Sequence, residues 1–163
     1  MAFRQMRRAR QAHPESESRA ILKAGISAVL ALSGDDGYPY ALPLNYVYAN
    51  GAVYFHSAKS GHKTDAIARC DKASLCVIAR DDVLSEKFTT LYKSVIAFGR
   101  ISAVKDEEEL RRAARLLAEK YCPLSSAQEI TAEIEKYLPA LAVLRFDIEH
   151  LTGKQGAEFL QNT

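Results

Sequence analysis

Residues 38–58 have the sequence YPYALPLNYVYANGAVYFHSA, in which two runs rich in tyrosine and branched side chains flank an Asn-Gly pair. Asn50 and Gly51 both tolerate the positive φ angles of a type I′ turn, so the segment predicts an antiparallel β-hairpin. Pro39 and Pro43 lie in its first strand and cannot donate to a ladder of hydrogen bonds. They therefore indicate a sheet edge, a bulge or a place where something other than a strand lies alongside.

Strand and helix patterns extend from this hairpin in both directions. Alternating apolar residues predict a strand over residues 26–32, with one face formed by Ile26, Ala28, Leu30 and Leu32. Further strands are predicted over residues 73–79, 88–104 and 142–149. Helices are predicted over residues 14–24, 62–70 and 106–121, and from Ser126, where Glu129 completes a capping box, to just before Pro139. Hairpins with helices gathered late favour an α+β domain built on a small barrel over a doubly wound parallel sheet.

The chain has 163 residues, of which 48% are hydrophobic and 26% are charged. These values are typical of a globular protein, and the length favours a single domain over residues 1–163. No apolar run approaches the roughly 18 residues of a membrane span and the N-terminus lacks the apolar stretch of a secretory signal, so we expect a soluble, cytoplasmic protein. Three cysteines without CxxC spacing predict reduced thiols, and neither a disulfide framework nor a zinc site: Cys70, Cys76 and Cys122.

A basic N-terminal arm, residues 1–13, contains arginines and no acidic residue in a chain of net charge +2. The arginines are Arg4, Arg7, Arg8 and Arg10. One short arm, without a basic and aromatic face elsewhere, is weak evidence for nucleic-acid binding, so we do not expect a nucleic-acid partner. The alternative is an arm that lies across the body of the protein, or across a dimer partner, and pairs with its acidic residues.

The glycine positions exclude several enzyme classes. No two glycines have the spacing that a GxGxxG dinucleotide motif or a GxSxG nucleophile elbow requires. The sequence also has no HExxH helix, and its histidines show no known metal-ligand spacing, so no metal site is expected.

Residues 54–64, YFHSAKSGHKT, have the composition of a phosphate site. They run from a predicted strand end over a loop into a helix start, where free backbone N–H groups favour an anion. Gly61 permits the close approach of a ligand, and hydroxyl and cationic groups supply hydrogen-bond donors: Ser57, Ser60, Thr64, Lys59, His62 and Lys63. The alternative is a solvent-exposed turn followed by a capped helix.

Four motifs follow one another along the chain: GYPYALPLNY (37–46), YFHSA (54–58) with Gly61-His62-Lys63, FTTLYKSV (88–95) with Phe98-Gly99-Arg100, and LTGK (151–154). The ordered set spans nearly the whole chain and resembles the nitroimidazole-resistance branch of the pyridoxamine 5′-phosphate oxidase-like flavoproteins. The resemblance implies an antiparallel, Greek-key-like FMN-binding split β-barrel with flanking helices, assembled as a homodimer with two FMN sites at the subunit interface. It also implies an FMN-dependent reductase of a small nitroaromatic or related acceptor, such as a nitroimidazole converted to its amine.

The resemblance further implies a role for each matching residue. The cofactor-binding set would be Pro43, Leu44, Asn45, Phe55, His56, Ser57, Gly61, His62, Lys63, Thr90, Tyr92 and Ser94. Within it, Lys63 with Ser57 and His62 would hold the FMN phosphate, residues 43–45 would lie along the isoalloxazine ring, and Thr90, Tyr92 and Ser94 would complete the pocket across the dimer interface. His56 would be the catalytic residue, orienting the substrate or supplying a proton. The alternative for His56 is a structural histidine, hydrogen-bonded within the strand end.

Two further expectations follow. Residues 156–163, GAEFLQNT, lack the arginine-leucine-x-proline type of segment that holds the substrate of pyridoxamine phosphate oxidases, so vitamin B6 oxidation is not expected. The second function that we consider is a non-enzymatic split-barrel module that binds flavin or haem as a carrier, sensor or store. In that case His56 or His62 would be the candidate axial ligand of the haem iron.

Overall fold

The computed structural model describes residues 3–160, which form seven β-strands and four α-helices. In chain order these are α1 (Glu15–Ala24), β1 (Ser27–Ser33), β2 (Pro39–Asn45), β3 (Val47–Ala49), β4 (Ala52–Ala58), α2 (His62–Arg69), β5 (Lys72–Leu84), β6 (Thr89–Ala103), α3 (Glu107–Tyr121), α4 (Ala127–Tyr137) and β7 (Leu141–Gln155). Residues 1–2 of the predicted arm and 161–163 of the C-terminal segment lie outside the described residues.

All seven strands belong to one antiparallel sheet in the order β2-β1-β5-β6-β7-β4-β3. The sheet curls until its edge strand β2 approaches β4, but no ladder joins these two strands in the described part of the chain. The barrel is therefore split between β2 and β4, which confirms the predicted α+β split-barrel fold. Pro43 lies on the edge strand opposite Val29 of β1, so its missing donor leaves no gap in a two-sided ladder.

The Asn50-Gly51 turn joins β3 to β4 as predicted, with φ of 52° at Asn50 and 82° at Gly51. The strand before the turn is not continuous, because Tyr46 leaves the ladder between β2 and β3. Its backbone N–H donates to the Tyr121 hydroxyl (2.9 Å), and its carbonyl oxygen accepts from the Lys120 ammonium (2.9 Å). The single strand predicted over residues 38–49 is thus interrupted by α3, through contacts about 75 residues apart in the chain.

Both faces of β4 are buried, which explains why its sequence does not alternate in polarity. Val53 and Phe55 face the barrel interior and join the main core. Ala52 and Tyr54 face the other side, where they pack under α3. His56 continues this second face because side chains two residues apart on a strand point the same way.

Strands β5 and β7 continue past their predicted ends at residues 79 and 149. The exposed residues 80–82 remain paired with β6 through the backbone, although their polar side chains suggest a loop. Ile26, which was predicted to share the inward face of the first strand, precedes β1 and is 69% exposed. The helices lie where the sequence predicts them, and the Ser126–Glu129 capping box is present.

The described part of the N-terminal arm, residues 3–13, lies across the body of its own chain. Ala12 forms a β-bridge with Lys154. The buried His13 rests on Gly153, where a Cβ atom would come within 1.8 Å of the imidazole, so this contact requires glycine. Within residues 3–160 the arginines of the arm form no ion pair, and the expected pairing with acidic residues of the body is not observed.

Candidate functional site

The loop after β4 leads into the N-terminus of α2 and leaves backbone donors available there. Gly61 begins the helix at φ +129°, and a Cβ atom at this position would meet nothing within 4 Å. No side chain caps the helix. The Asp65 N–H donates a hydrogen bond to the Gly61 carbonyl oxygen (3.0 Å). The preceding N–H groups lie at the positive end of the helix dipole, which is a favourable position for an anion.

Lys63 is the cation best placed to hold such an anion. Its side chain is half-buried, and burial lowers the pKa of the ammonium group. Lys63 takes part in none of the ion pairs formed among residues 3–160. A half-buried ammonium without a partner is costly, and a bound phosphate would remove that cost. Ser57 lies near the end of β4 and is also buried, while its contact with a phosphate stays a prediction.

The side chain of His62 contacts other residues of its own chain. Its ring stacks on Tyr40, with 4.1 Å between ring centroids, and Nε2 lies 3.3 Å from the carboxylate of Asp35. The same carboxylate accepts a hydrogen bond from Arg69 (2.5 Å). His62 therefore borders the loop, while its contact with a phosphate stays a prediction.

A cleft of about 610 Å³ opens where α3 and α4 pass over the end of β4. His56 lies at this cleft, exposed to solvent, and its imidazole makes no hydrogen bond within the described part of the chain. The structure therefore gives no support to the alternative of a histidine fixed by hydrogen bonds in a strand end. Asn45 also lines the cleft, and its side-chain amide donates to the Ile26 carbonyl oxygen (3.0 Å).

Most of the cleft comes from residues that the sequence analysis did not single out. The apolar lining is formed by Ala114, Leu117, Ala118, Tyr121, Ile130, Ile134, Tyr137 and Leu141. The spacing of Ile130, Ile134 and Tyr137 is that of one helix face, so the sequence shows that α4 has an apolar face. It does not show that this face borders an opening instead of closing over a core.

The residues predicted to lie along a flavin ring differ in their orientation. Pro43 and Asn45 are exposed on the outer face of β2, whereas Leu44 turns inward and packs against the barrel core. Phe55 is fully buried in that core, so only its backbone is available to a ligand on the outer face. A ligand that lies along β2 would meet Pro43 and Asn45 directly.

The structure places Thr90, Tyr92 and Ser94 on β6, away from His56. Ser94 pairs with Lys154, while His56 pairs with Val143, and these two partners lie eleven residues apart on β7. At about 3.3 Å per residue, the separation along the strand is roughly 35 Å. In one chain the two groups therefore pair with opposite parts of β7.

Other site classes have less support in residues 3–160. No group of three or more histidine, cysteine, aspartate or glutamate side chains there is arranged to hold a metal ion. None of the described helices has the length and apolar character needed to cross a bilayer. Cys70, Cys76 and Cys122 are free thiols, and Cys122 is exposed at the cleft.

Solved structures with the same fold come from proteins of low sequence identity. A conserved hypothetical protein of Mycobacterium tuberculosis has a TM-score of 0.82 at 17% identity, over 95% of this chain and 92% of that one. A Bacteroides thetaiotaomicron protein provisionally assigned to 5-nitroimidazole antibiotic resistance has a TM-score of 0.73 at 19% identity, over 87% and 84%. The flavocytochrome Anf3 of Azotobacter vinelandii has a TM-score of 0.73 at 21% identity, over 94% and 72%. At these identities the likeness establishes the fold alone.

Sequence comparison identifies the family. No curated protein matches the chain. The family model described as pyridoxamine 5′-phosphate oxidase matches residues 14–155, which include the loop between β4 and α2 and every residue that lines the cleft. The chain therefore belongs to the pyridoxamine 5′-phosphate oxidase family.

Proposed function

We propose that the protein is an FMN-dependent reductase of small nitroaromatic or related acceptors. The observation that carries the proposal is a half-buried Lys63, without an ion pair among residues 3–160, at an open helix N-terminus and a few residues after an exposed His56 at an apolar cleft. The first feature suits a phosphate and the second suits a ring-shaped acceptor. Free thiols at all three cysteines agree with a reducing, cytoplasmic setting.

The loop and the edge strand together fit the chemistry of FMN. The phosphate would bind the first-turn N–H groups of α2 and the ammonium of Lys63, and Gly61 leaves room for its approach. The exposed face of β2 offers Pro43 and Asn45 to the isoalloxazine ring. Bound FMN would supply the electrons, and the protein would supply binding, orientation and protons.

His56 is the proposed proton donor. Reduction of a nitro group to a nitroso group takes two electrons and two protons and releases water, so a proton source must lie close to the acceptor. The imidazole of His56 is exposed at the cleft and forms no hydrogen bond within residues 3–160, so it is available to a ligand there. The reducing equivalents would come from a nicotinamide nucleotide that reacts at the flavin, or from a partner protein, because the chain has no GxGxxG motif.

A second candidate is a non-enzymatic flavin- or haem-binding module. The similarity in fold to a flavocytochrome favours it, as does the exposed imidazole of His56, which forms no hydrogen bond in the described part of the chain and is available as an axial ligand. Lys63, which has no ion pair within residues 3–160, suits the phosphate of a flavin and the propionates of a haem alike, so it does not separate the two candidates.

We also propose that the functional unit is a homodimer that forms across the outer face of β1, β5 and β6. Val29, Ile78 and Ile96 lie on this face and are 39%, 61% and 41% exposed. Val29 and Ile96 both pair with Cys76, so the apolar surface is continuous across the three strands. A second copy would cover this surface and could bring its own Thr90, Tyr92 and Ser94 to the site that one chain leaves incomplete.

Replacing both Ile78 and Ile96 with arginine is expected to convert the dimer to a monomer, because two charges would be buried in the apolar contact. Light scattering coupled to gel filtration would measure the mass. Leu124→Arg is the matched control, since Leu124 is 99% exposed in the loop between α3 and α4. A wild-type protein that is already monomeric would contradict the proposal.

The absorption spectrum of the purified protein tests the proposed function. We expect two broad flavin bands, in the near-ultraviolet and the blue, that bleach with dithionite, and release of FMN that mass spectrometry identifies. Protein without flavin would be titrated with FMN and FAD in parallel. A strong Soret band would favour the haem-binding alternative, and a protein that neither retains nor takes up flavin would overturn the proposal.

A further inference from the structure

We propose that the cleft between α3, α4 and β4 is the acceptor pocket, and that it selects flat apolar acceptors which are neutral or cationic over anionic ones. The inference rests on the proposed function, because it gives the substrate class of the same site. It depends on the shape, the lining and the charge of a cleft that the predicted cofactor residues reach only at one end.

The size and lining of the cleft suit a small molecule. Its volume of about 610 Å³ lies in the range of roughly 300–1,000 Å³ that is usual for ligand pockets. Alanine, leucine, isoleucine and tyrosine side chains form most of its wall, and all but one of them come from the two helices. Asn45 and His56 are the polar groups at the sheet end, so a bound ring would extend from His56 between the two helices.

The charge at the helical end is negative. Glu129 and Glu133 lie four residues apart on α4, and both line the cleft. Hydrogen bonds from the backbone and side chain of Ser126 lower the pKa of Glu129, which keeps its carboxylate ionised. No lysine or arginine lines the cleft within the described residues, although the ammonium of Lys136 lies 3.5 Å from the carboxylate of Glu133. A carboxylate on the acceptor would therefore meet two like charges, of which only Glu133 has a cation beside it.

The test uses three ligands that share one nitrophenyl ring and differ in charge: 4-nitrobenzylamine, 4-nitrobenzyl alcohol and 4-nitrobenzoate. Cys122 is exposed at the cleft, so a bound ligand is expected to slow its reaction with N-ethylmaleimide. Cys70 and Cys76 are less exposed and serve as internal references. We expect the amine and the alcohol to protect Cys122 and the benzoate to protect it least. For the flavin-loaded protein, we expect the lowest KM values for the ligands that protect best and the highest for the benzoate.

Two variants probe the pocket directly. Ala118→Phe fills the cleft from α3 and is expected to abolish protection by all three ligands and raise their KM values at least tenfold, while FMN stays bound. Glu133→Gln is expected to reduce the preference for the amine over the benzoate by about twofold to fivefold, because an exposed charge contributes little to binding. Glu108→Gln is the matched control, since Glu108 is exposed near the start of α3 and does not line the cleft.

The outcomes separate the inference from the function on which it rests. A protein that binds FMN, but whose Cys122 is equally reactive with and without each ligand, would overturn the pocket and leave the flavin assignment intact. Equal protection by the benzoate and the amine would overturn the charge selection. Ordered protection in a protein that takes up no flavin would overturn the proposed reductase. Should Ala118→Phe fail to fold, Glu133→Gln changes only a surface charge and still decides the result.

Discussion

Replacing Lys63 with alanine is expected to weaken FMN binding by about 10-fold to 100-fold. A hydrogen bond to a charged group contributes about 1.5–3 kcal/mol, and Lys63 is the half-buried cation beside the α2 N-terminus. The measurement is a fluorescence titration of the flavin-free protein with FMN and, separately, with riboflavin, which lacks the phosphate. The wild-type preference for FMN over riboflavin should shrink in the variant.

Lys59→Ala provides the matched control. Lys59 belongs to the same loop and has the same charge, but it is exposed and its ammonium donates to the Pro139 carbonyl oxygen. Its loss should change FMN affinity by about twofold or less, since exposed charges contribute little. An unchanged ratio of FMN to riboflavin affinity in Lys63→Ala would falsify the phosphate assignment.

The affinity for FMN is also expected to depend on pH with a defined sign. Burial lowers the pKa of Lys63 in the flavin-free protein, and a bound phosphate would raise it again by stabilising the ammonium. The affinity should therefore be constant at neutral pH and fall as the pH rises through the lowered value, before the range where an ordinary lysine titrates. Lys63→Ala should lack this alkaline fall, which the same titration would record.

Local sequence information was sufficient for the parts of the fold and site that are built locally. The Asn50-Gly51 turn and the Ser126–Glu129 capping box were predictable because their chemistry involves neighbouring residues only. The loop between β4 and α2 was predictable for the same reason, since a glycine, a helix start and a cation follow one another within residues 57–63.

Features that depend on distant contacts could not be predicted in this way. Lys120 and Tyr121 divide the predicted strand at Tyr46, and nothing near Tyr46 in sequence indicates it. The cleft exists because α4 packs beside α3 with an apolar face only partly covered, and a pattern of apolar residues cannot distinguish a covered face from an open one. The separation of His56 and Ser94 along the sheet follows from strand register, which the resemblance leaves unspecified.

The double burial of β4 links the fold to the proposed chemistry. Val53 and Phe55 are held by the barrel core, and Ala52 and Tyr54 are held beneath α3. The strand that positions His56 and Ser57 is therefore fixed on both faces. A rigid strand end suits a site in which a proton donor must stay at one place beside a bound ring. The proposed role of His56 consequently makes a sharp kinetic prediction.

Replacing His56 with glutamine is expected to slow the reoxidation of the dithionite-reduced protein by 4-nitrobenzyl alcohol by about 100-fold or more, because a positioned general acid contributes about 10²–10⁴-fold. Anaerobic stopped-flow absorbance would measure the rate. Ferricyanide, which accepts one electron and no proton, should reoxidise wild type and variant at rates within about twofold. His150→Gln is the control variant, because His150 lies on β7 in a stack with Phe3, outside the cleft. Equal slowing with both oxidants would show that His56 positions the flavin. No slowing with the nitro compound would show that His56 takes no part in the reaction. Only a selective loss of the proton-coupled rate agrees with a proton donor at the end of β4.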